Sequence, residues 1–337
     1  MLQAMIGDAL EAPARTAVVT GAAGYVGVNL VELLLAQGWR VRTYDLEPMV
    51  GIDPHGVEHT LGDVRDHGRL ATAFDGADVV FHLAARITLA SVDEAAWDVN
   101  VSGPATAAAV ALETGVPRFV HCSSVHAYDL SRAHPRLNER SPRSVAPERP
   151  VYDRSKAAGE VEVRKAIEAG RDATIVNPTG IIGPVDLGPS RANLVIDSAA
   201  RGRLPVVVRG GFDWVDVRDV ALGLVAAADA GRTGENYLLP GHQATARHLG
   251  RLAAALNGHL GPVAALPAHV AKWLAPTGER IGRRFGSDVF TPASIGTLIE
   301  HPIVEGDKAA DELGHVPRPL EDTVRDLVRY YEGEPHL

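Results

Sequence analysis

Apolar runs alternate with helical patterns through the first half of the 337-residue chain. Apolar segments of strand length predict strands at 16–20, 40–44, 57–60, 78–83, 117–122 and 172–177. Between them, apolar residues recur at helical spacing and predict helices near 25–37, 66–74, 92–114 and 151–169. Such alternation indicates βαβ units. We therefore expect an α/β fold, a doubly wound parallel sheet with ligands bound at the carboxyl ends of its strands.

A different pattern follows residue 180, where the regular alternation fades. The elements predicted there are strands at 205–209 and 235–239 and helices at 191–202, 219–230, 244–257 and 319–332. We expect a further strand near 213–217 to return to the core. The Pro- and Arg-rich stretch 131–150 predicts a long surface loop that acts as a lid beside a cleft.

A glycine-rich turn joins the first predicted strand to the first predicted helix. It reads Thr20-Gly21-Ala22-Ala23-Gly24-Tyr25-Val26-Gly27, with the glycine spacing G-x-x-G-x-x-G. Glycine permits a sharp turn and lets the backbone approach a pyrophosphate, and the next helix offers unpaired N–H groups and the positive end of its dipole. The glycines alone are equally compatible with an ordinary turn. The strand before them and the helix after them favour a dinucleotide site.

An acidic residue after the second predicted strand supports this interpretation. Asp45 lies about 20 residues beyond the glycine turn, where an acid binds the ribose hydroxyls of NAD and repels the 2′-phosphate of NADP. Arg42 is three residues earlier, and an odd separation on a strand directs it to the opposite face. The sequence therefore predicts NAD as the cofactor and disfavours NADP.

A tyrosine and a lysine four residues apart indicate proton-transfer chemistry. On the helix predicted at 151–169, Tyr152 and Lys156 share one face. A nearby ammonium stabilises a phenolate and lowers the tyrosine pKa from about 10, so we expect Tyr152 to act as a general acid or base. Ser123 and Ser124 follow the fifth predicted strand, where a serine hydroxyl can orient a substrate oxygen. Each motif alone is also compatible with surface residues of no catalytic role.

Taken together, the motifs resemble those of the extended short-chain dehydrogenases/reductases in kind and order. The matching segments are Gly21–Gly27, Asp63-Val64, Leu83-Ala84-Ala85, Asn100, Ser123-Ser124, Tyr152 with Lys156, Asn177–Pro184 and Asp213–Val220. The resemblance covers residues 16 to 240.

Two departures indicate which branch of that family the chain resembles most. Val125 and His126 follow Ser124, where sugar-nucleotide dehydratases carry an Asp-Glu pair. Phe212 precedes Asp213-Trp214 in a segment where nucleotide-sugar epimerases usually carry Arg-Asp-Phe. The chain is therefore most similar to the dihydroflavonol reductase and beta-hydroxysteroid dehydrogenase-like branch.

The resemblance implies roles for individual residues. Ser124 would orient the substrate oxygen, Tyr152 would move the proton, and Lys156 would tune the tyrosine and bind the nicotinamide ribose. The residues implied at the cofactor are Gly21, Gly24, Tyr25, Val26, Gly27, Asp45, Asp63, Val64, Leu83, Ala84, Ala85, Asn100, Tyr152, Lys156, Pro178 and Thr179. Among them, Asp63 and Val64 would hold the adenine, and Pro178 with Thr179 would flank the nicotinamide.

The resemblance also implies an activity and an assembly. It implies an NAD(P)-dependent oxidoreductase that transfers hydride between a nicotinamide cofactor and a secondary alcohol, ketone or aldehyde. A sugar or nucleotide-sugar epimerase with tightly bound NAD is the alternative, and a non-catalytic cofactor sensor is disfavoured because Tyr152 and Lys156 are both present. Helices near 99–114 and 152–170 would pair with a second subunit in a homodimer.

The composition of the first residues and the change of pattern after Pro178 set the expected domain organisation. Residues 1–15 are expected to form an N-terminal extension and 16–180 the dinucleotide-binding domain. Residues 181–337 are expected to be mainly a substrate-binding part, smaller and mixed in structure, with some segments returning to the core.

Composition narrows the partners and the compartment. The chain carries 33 basic and 42 acidic residues, a net charge of −9, without a basic tract, which argues against nucleic acid as a partner. Cys122 is the single cysteine, so a disulfide framework is excluded and a reducing cytoplasm fits. The 14 histidines form no spaced cluster with other ligands, so no metal is expected. No apolar run reaches membrane-spanning length, and the composition beyond residue 180 favours a neutral or hydrophobic small-molecule substrate.

Several side chains outside these motifs are interpreted one by one. His126 is equally compatible with lining a substrate pocket and with a structural role. We interpret Trp214 as a packing residue, Arg191 as a solvated loop residue, and Asp219 as a helix N-cap. His82 and His121 are expected to be core histidines with satisfied hydrogen bonds. The apolar segment 264–286 is interpreted as a lid or an oligomer helix.

Overall fold

The computed structural model describes residues 14–50, 57–88, 90, 92–188, 190–267, 269–270, 296, 298 and 302–333. The strands of the described residues are β1 Thr16–Thr20, β2 Arg40–Asp45, β3 Val57–Leu61, β4 Val79–His82, β5 Arg118–Cys122, β6 Arg136–Leu137, β7 Ala173–Pro178, β8 Gly180–Ile182, β9 Val206–Val208, β10 Gly211–Asp216, β11 Asn236–Leu239, β12 His242–Thr245, β13 Ala264–Leu266 and β14 Ile303–Val304. The α-helices of the described residues are α1 Tyr25–Ala36, α2 His67–Phe74, α3 Glu94–Glu113, α4 Val151–Glu168, α5 Arg191–Ala200, α6 Val217–Ala230, α7 Ala246–Leu256, α8 Asp307–Leu313 and α9 Leu320–Tyr331.

A seven-stranded parallel sheet forms the centre of the described fold, in the order β11-β7-β5-β4-β1-β2-β3. Its central strands read as continuous apolar runs because helices cover both faces, and in β1 Ala17, Val18 and Val19 are fully buried. The strand order reverses between β1 and β4, which opens a crevice beyond their carboxyl ends. The predicted doubly wound α/β fold is confirmed.

Two apolar layers hold helices against the sheet. On one face, α1 and α6 contribute Leu30, Leu34 and Leu224 to a cluster with the strand residues Val19 and Phe81. The opposite face packs against α2, α3 and α4. The helical members of that second cluster include Leu70, Phe74, Ala107, Ala111 and Val163. Each of these helices buries an apolar side against the sheet. This packing sets the positions of the helices that carry the site residues.

Beyond β7, the chain builds smaller sheets of order β12-β10-β8, β13-β9 and β14-β6. The strand expected near 213–217 is Gly211–Asp216, which pairs with β8 and β12 and does not join the main sheet. The reason is that β11 already occupies the outer edge of β7. Val215 of this strand is fully buried in the main apolar cluster, so the strand reaches the core through this residue although it is not part of the main sheet.

The stretch 131–150 is not a surface loop along its whole length. Ala133, Leu137 and Ser144 are buried. Ala133 and Leu137 belong to an apolar cluster that also contains Tyr128 and Phe212, which ties the loop to the body of the protein. The other residues of the segment are exposed or half-buried, as a surface loop predicts, and its action as a lid stays a prediction.

Two segments interpreted from the sequence are covered by the described residues only in part. Most of the extension predicted at 1–15 and most of the apolar segment 264–286 lie outside the described residues. The domain boundaries near residues 15 and 180 stay predictions. Within the part of the chain that is described, no helix has both the length and the apolar character needed to cross a membrane.

Candidate active site

The glycine turn between β1 and α1 has a backbone that side chains would obstruct. Gly21 has a φ of +73°, and a Cβ there would lie 2.5 Å from the Ala84 backbone nitrogen. A Cβ on Gly27 would lie 2.3 Å from the Gly21 carbonyl oxygen. Gly24 precedes α1 as its N-cap and supplies no capping side chain. The first N–H groups of α1 therefore remain for an anionic group, as a pyrophosphate site requires.

A cavity of about 540 Å³ opens beside this turn, beyond the carboxyl ends of β1, β2 and β4. The predicted cofactor residues that line it are Gly21, Gly24, Asp45, Asp63, Val64, Leu83, Ala84 and Ala85. These residues come from four separate segments of the sequence, which the parallel sheet brings to one edge. A crevice of this kind at a topological switch point is where open α/β sheets bind dinucleotides.

Asp45 is positioned by the glycine turn itself. Its carboxylate accepts hydrogen bonds from the backbone N–H of Ala23, at 2.9 Å, and of Glu47, at 3.2 Å. Arg42 lies on the other side of β2, where it donates to the Asp75 carbonyl at 2.6 Å and pairs with Glu58 at 3.2 Å. The cavity thus presents the Asp45 carboxylate, while Arg42 is bound to the Asp75 carbonyl and to Glu58.

Asp63 shares this cavity with a charge partner of its own. Arg65 donates to its carboxylate through both side chain and backbone, and these hydrogen bonds lower the Asp63 pKa. Arg65 also pairs with Asp98 at the start of α3. The adenine end of the predicted site is therefore bordered by a charged cluster as well as by Val64.

Some residues predicted at the cofactor point into the protein instead. The Tyr25 hydroxyl donates to the Gly183 carbonyl at 2.5 Å, and Val26 packs against the main apolar cluster. Asn100 holds the backbone of Arg86, accepting from its N–H at 2.8 Å and donating to its carbonyl at 3.0 Å. These side chains support the walls of the cavity without lining it.

Pro178 and Thr179 lie at the end of β7. Both are buried, and the Thr179 backbone N–H donates to the Leu239 carbonyl at 3.3 Å. Neither residue lines the 540 Å³ cavity. Their role at the nicotinamide stays a prediction.

Ser124, Tyr152 and Lys156 converge beyond β5. Tyr152 lies in the first turn of α4 and Lys156 one turn later, while Ser124 begins a short 3₁₀ helix, Val125–Ala127, after β5. The Ser124 side chain acts on the Tyr152 phenol, since it lowers the Tyr152 pKa against the rise caused by burial. The Lys156 ammonium donates to the Cys122 carbonyl at 3.2 Å. The Ser124 and Tyr152 hydroxyls and the buried Lys156 ammonium therefore lie at the same end of β5.

The electrostatics of the tyrosine differ from the sequence expectation. Burial raises the Tyr152 pKa well above its ordinary value, and the Ser124 side chain only partly opposes this rise. Burial also lowers the Lys156 pKa. The protein groups described here therefore keep the phenol protonated, because desolvation disfavours the phenolate more than the surrounding dipoles favour it.

Ser123 faces a separate polar network. Its hydroxyl donates to Glu160 at 2.7 Å, and the same carboxylate accepts from Asn177 at 2.6 Å and from Asn236 at 3.0 Å. Arg143 completes the network with an ion pair of 2.9 Å to Glu160. Sequence reasoning missed Glu160, although its position four residues after Lys156 places it on the same face of α4.

A second cavity, of about 350 Å³, lies beside Tyr152. Its apolar lining includes Ile87, Val195, Ile196, Phe212, Trp214 and Leu249, and its polar lining includes Thr88, His126, Asp153 and Arg191. Arg191 and Trp214 are thus wall residues, which the sequence did not favour. The reason is tertiary, since α5, α7 and β10 are brought over the end of β5 only by the smaller sheets.

One local assignment on α6 is wrong. Asp216, rather than Asp219, is the N-cap, because its side chain accepts from the Arg218 N–H. Asp219 instead binds the Arg318 backbone and guanidinium, at 2.8 and 2.9 Å.

Comparison with known proteins identifies the family. Residues 17–239 match the profile of the NAD dependent epimerase/dehydratase family. The chain belongs to this family. The match contains the glycine turn and the Ser124, Tyr152 and Lys156 constellation, and it confirms the extended short-chain dehydrogenase/reductase type.

Individual members of the family match over nearly the whole chain. Sterol demethylase protein B of Methylococcus capsulatus is 33% identical, over 94% of this chain and 98% of its own length. The 4-hydroxy-2-methyl-3-oxo-4-farnesyl-3,4-dihydroquinoline-1-oxide ketoreductase of Stigmatella aurantiaca is 29% identical, over 92% and 95%. The crystal structure of gox2253 is 32% identical with a TM-score of 0.81, over 94% of this chain and 98% of that one. Family membership implies a nicotinamide cofactor and a small-molecule substrate.

Proposed function

We propose that this protein is an NAD-dependent oxidoreductase of apolar secondary alcohols and ketones, acting as a ketone reductase. The observation that carries the proposal is the convergence of the Ser124 and Tyr152 hydroxyls and the Lys156 ammonium beyond β5, with Tyr152 in the wall of the 350 Å³ apolar cavity. That hydroxyl pair is where a substrate oxygen would be received. The dinucleotide cavity opens on the same edge of the sheet.

Each catalytic side chain has one role. The cofactor, when bound, supplies or takes the hydride. Tyr152 passes a proton to or from the substrate oxygen, and Ser124 holds that oxygen by a hydrogen bond. Lys156 supplies a positive charge at the Cys122 carbonyl, behind the tyrosine. Burial raises the pKa of Tyr152, so the phenol is protonated before the cofactor binds.

NAD, rather than NADP, is the cofactor that the charges support. Asp45 places a carboxylate in the dinucleotide cavity, and a 2′-phosphate beside it would be repelled. Arg42, the nearby cation, is held by Asp75 and Glu58 on the opposite side of the strand.

The apolar wall of the second cavity supports a hydrophobic substrate. Aromatic and aliphatic side chains such as Phe212, Trp214 and Leu249 leave few partners for the hydroxyls of a sugar nucleotide. Two relatives carry names of apolar ring compounds, a sterol and a farnesylated quinoline oxide. These names support an apolar ring compound as the substrate here.

Assembly and location are further parts of the proposal. Trp97 on α3 and Val161 on α4 are exposed, 38% and 51%, which supports a homodimer through the outer faces of these helices. Light scattering on the wild type and on a Val161→Glu variant tests this, with a loss of the dimer expected in the variant. A cytoplasmic location stays a prediction from the single cysteine.

The activity is tested with Tyr152→Phe, which keeps the ring and removes the proton. We expect the wild type to oxidise NADH when a monocyclic or bicyclic ketone is supplied. The variant should lose at least about 100-fold in kcat and bind NADH with unchanged affinity. Undiminished turnover by the variant would contradict the mechanism. Product formation without net change in NADH absorbance would indicate an epimerase instead.

A further inference from the structure

Tyr25 joins the dinucleotide cavity to a distant segment of the chain. It is the first residue of α1, so its backbone N–H belongs to the groups that the helix leaves unpaired beside the glycine turn. Its hydroxyl donates to the Gly183 carbonyl at 2.5 Å and accepts from the Asn193 side-chain amide at 3.1 Å. Burial raises the Tyr25 pKa well above its ordinary value, so the hydroxyl keeps the proton that it donates. The backbone and the side chain of one residue therefore serve two different elements.

Asn193 receives this connection on α5. Its amide also donates to the Gly183 carbonyl at 3.1 Å and to the Asp186 carboxylate at 2.8 Å, and its Oδ1 atom accepts from the Gly183 N–H at 3.2 Å. The same Asp186 oxygen accepts from the Ser190 N–H at 2.7 Å and from the Tyr331 hydroxyl at 3.0 Å. Asn193 is fully buried, and Asp186 is 3% exposed. The start of α5 is therefore held by buried hydrogen bonds that lead back to α1.

Asn29, one turn after Tyr25, gives α1 a second attachment to the same segment. Its Nδ2 atom donates to the Val185 carbonyl at 2.8 Å, and its Oδ1 atom accepts from the Val185 N–H at 3.1 Å. A shift of this segment relative to α1 would leave several buried polar groups unpaired, which is costly. The first two turns of α1 and the segment before α5 therefore move together.

A different side of α5 forms part of the wall of the 350 Å³ cavity. The α5 residues that line this cavity are Arg191, Ala192, Val195 and Ile196. Because successive residues of an α-helix lie about 100° apart around its axis, Asn193 faces away from Arg191 and Val195. The position of the wall thus depends on the bonds of Asn193 and, through Tyr25, on the first turn of α1.

We propose that Tyr25 is a positioning residue that couples the two cavities. When its backbone N–H helps to bind a diphosphate, Tyr25 holds α5 in place through Gly183 and Asn193, and an apolar ketone binds more tightly in the 350 Å³ cavity. Coupling of this kind is reciprocal, so the ketone tightens the binding of the diphosphate by the same factor. The inference rests on the proposed function for the ligands of the two cavities. Tyr25 takes no part in the transfer of hydride or proton in this account.

ADP-ribose separates this coupling from direct contact between cofactor and ketone. It carries the diphosphate of NAD but lacks the nicotinamide ring that would lie against a ketone. 1-Tetralone is titrated by calorimetry into the wild type alone, with saturating ADP-ribose, and with saturating adenosine, which lacks the diphosphate. We expect ADP-ribose to lower the Kd of 1-tetralone by about fivefold and adenosine to change it by less than about twofold.

Tyr25→Phe keeps the ring and removes the hydroxyl. The matched control is Tyr44→Phe, which removes a hydroxyl that donates to the Asp63 carbonyl at 2.9 Å in the wall of the dinucleotide cavity. We expect the effect of ADP-ribose on the Kd of 1-tetralone to fall below about twofold in Tyr25→Phe and to stay at about fivefold in Tyr44→Phe. A merely structural role of Tyr25 would weaken the ligands separately and leave the ratio of the two Kd values unchanged.

The comparison of ADP-ribose with adenosine tests the inference in the wild type without any variant. An equal effect of the two compounds, no effect of ADP-ribose, or an absence of 1-tetralone binding in its presence would overturn the inference. Coupling that survives in Tyr25→Phe, or that is lost equally in both variants, would do the same. Coupling without turnover of 1-tetralone by NADH would sustain the role of Tyr25 and count against the proposed reduction.

Discussion

The Ser123 hydroxyl donates a hydrogen bond of 2.7 Å to the Glu160 carboxylate in the interior of the protein. This bond separates the two serines that follow β5, since the Ser123 hydroxyl is bonded in the interior and the Ser124 Oγ accepts from the His126 backbone N–H on the side of Tyr152. Asn177 links the two sides, because its amide donates both to Glu160 and to the Ser124 carbonyl, at 2.6 and 2.9 Å. We infer that Glu160, through Asn177, positions the backbone of Ser124, the serine that we propose to be catalytic.

Glu160→Gln should therefore weaken both stability and turnover. The change removes the charge that compensates Arg143, and the loss of one partner of a buried pair costs about 2–3 kcal/mol in the free energy of unfolding. Urea denaturation measures this cost, and the kcat for a ketone should fall with little change in NADH affinity. Glu162→Gln is the control on the same helix, because its pair with Lys165 is largely exposed and is worth less than about 0.5 kcal/mol. Equal losses in the two variants would argue against the positioning role.

The buried histidines should make the fold sensitive to acid. His82 and His121 stack at 5.5 Å in the core, and burial lowers the pKa of both, that of His82 to about 3. The Nδ1 atom of His82 has Thr20 as a partner at 2.8 Å, whereas the Nε2 atom of His82 and both ring nitrogens of His121 have no hydrogen-bond partner among the described residues. The expectation of satisfied histidines is therefore wrong for His121 and holds for only one nitrogen of His82.

A histidine with a lowered pKa in the folded state stabilises the fold above the ordinary pKa and loses that contribution as the pH falls. Below about pH 6.5, each such group reduces the free energy of unfolding by up to about 1.4 kcal/mol per pH unit. We expect His121→Phe, which keeps an aromatic ring on His82, to lessen the slope of stability against pH by about one proton between pH 6.5 and 4. Urea denaturation across this range measures the slope, and exposed His248→Gln should retain the wild-type slope. An unchanged slope in His121→Phe would mean that its imidazole is already charged in the fold.

Gly27→Ala should prevent assembly of the dinucleotide site. The added Cβ would meet the carbonyl oxygens of Gly21 and Ala22 at 2.3 and 2.6 Å, and backbone atoms cannot yield as a flexible side chain can. We expect a loss of more than about 3 kcal/mol in stability, or failure to fold, together with loss of NADH binding. Gly68→Ala, in α2, meets only the Asp66 side chain at 3.8 Å and should be neutral or stabilising. Thermal melts and NADH fluorescence titration compare the two variants. A well-folded Gly27→Ala variant that binds NADH would contradict the close approach of Gly27 to the carbonyl oxygens of Gly21 and Ala22.

Asp45→Asn should erase much of the discrimination between the two cofactors. Removal of the charge relieves the repulsion of a 2′-phosphate and weakens the hold on the ribose hydroxyls, so the ratio of the NADPH and NADH dissociation constants should fall by about tenfold. Fluorescence titration with each cofactor measures the ratio. Arg42→Gln should leave it unchanged, because Arg42 is engaged with Asp75 and Glu58. If Arg42→Gln selectively weakened NADPH, that arginine would have to face the cofactor.

The sequence by itself determined the parallel sheet, the crevice beside the glycine turn, and the convergence of the side chains that we propose to react. These features follow from local rules: the apolar runs mark strands, the glycine spacing marks a turn that side chains would block, and the separation of Tyr152 and Lys156 places them on one helical face. Even Asp45 and Arg42 could be assigned to opposite sides of their strand by alternation alone. Each inference needs only neighbours within a few residues or the common edge of a parallel sheet.

Tertiary structure alone decided what surrounds those residues. The pairing of β10 with β8, the packing of the segment around Leu137, and the wall formed by Arg191 and Trp214 depend on contacts between segments far apart in sequence. The Tyr152 pKa depends in the same way on how completely the chain buries the phenol, which outweighs the effect expected from the nearby lysine. Desolvation and long-range packing have no local sequence pattern, and for that reason the bond between Tyr25 and Asn193 and the Glu160 network emerged only from the folded arrangement.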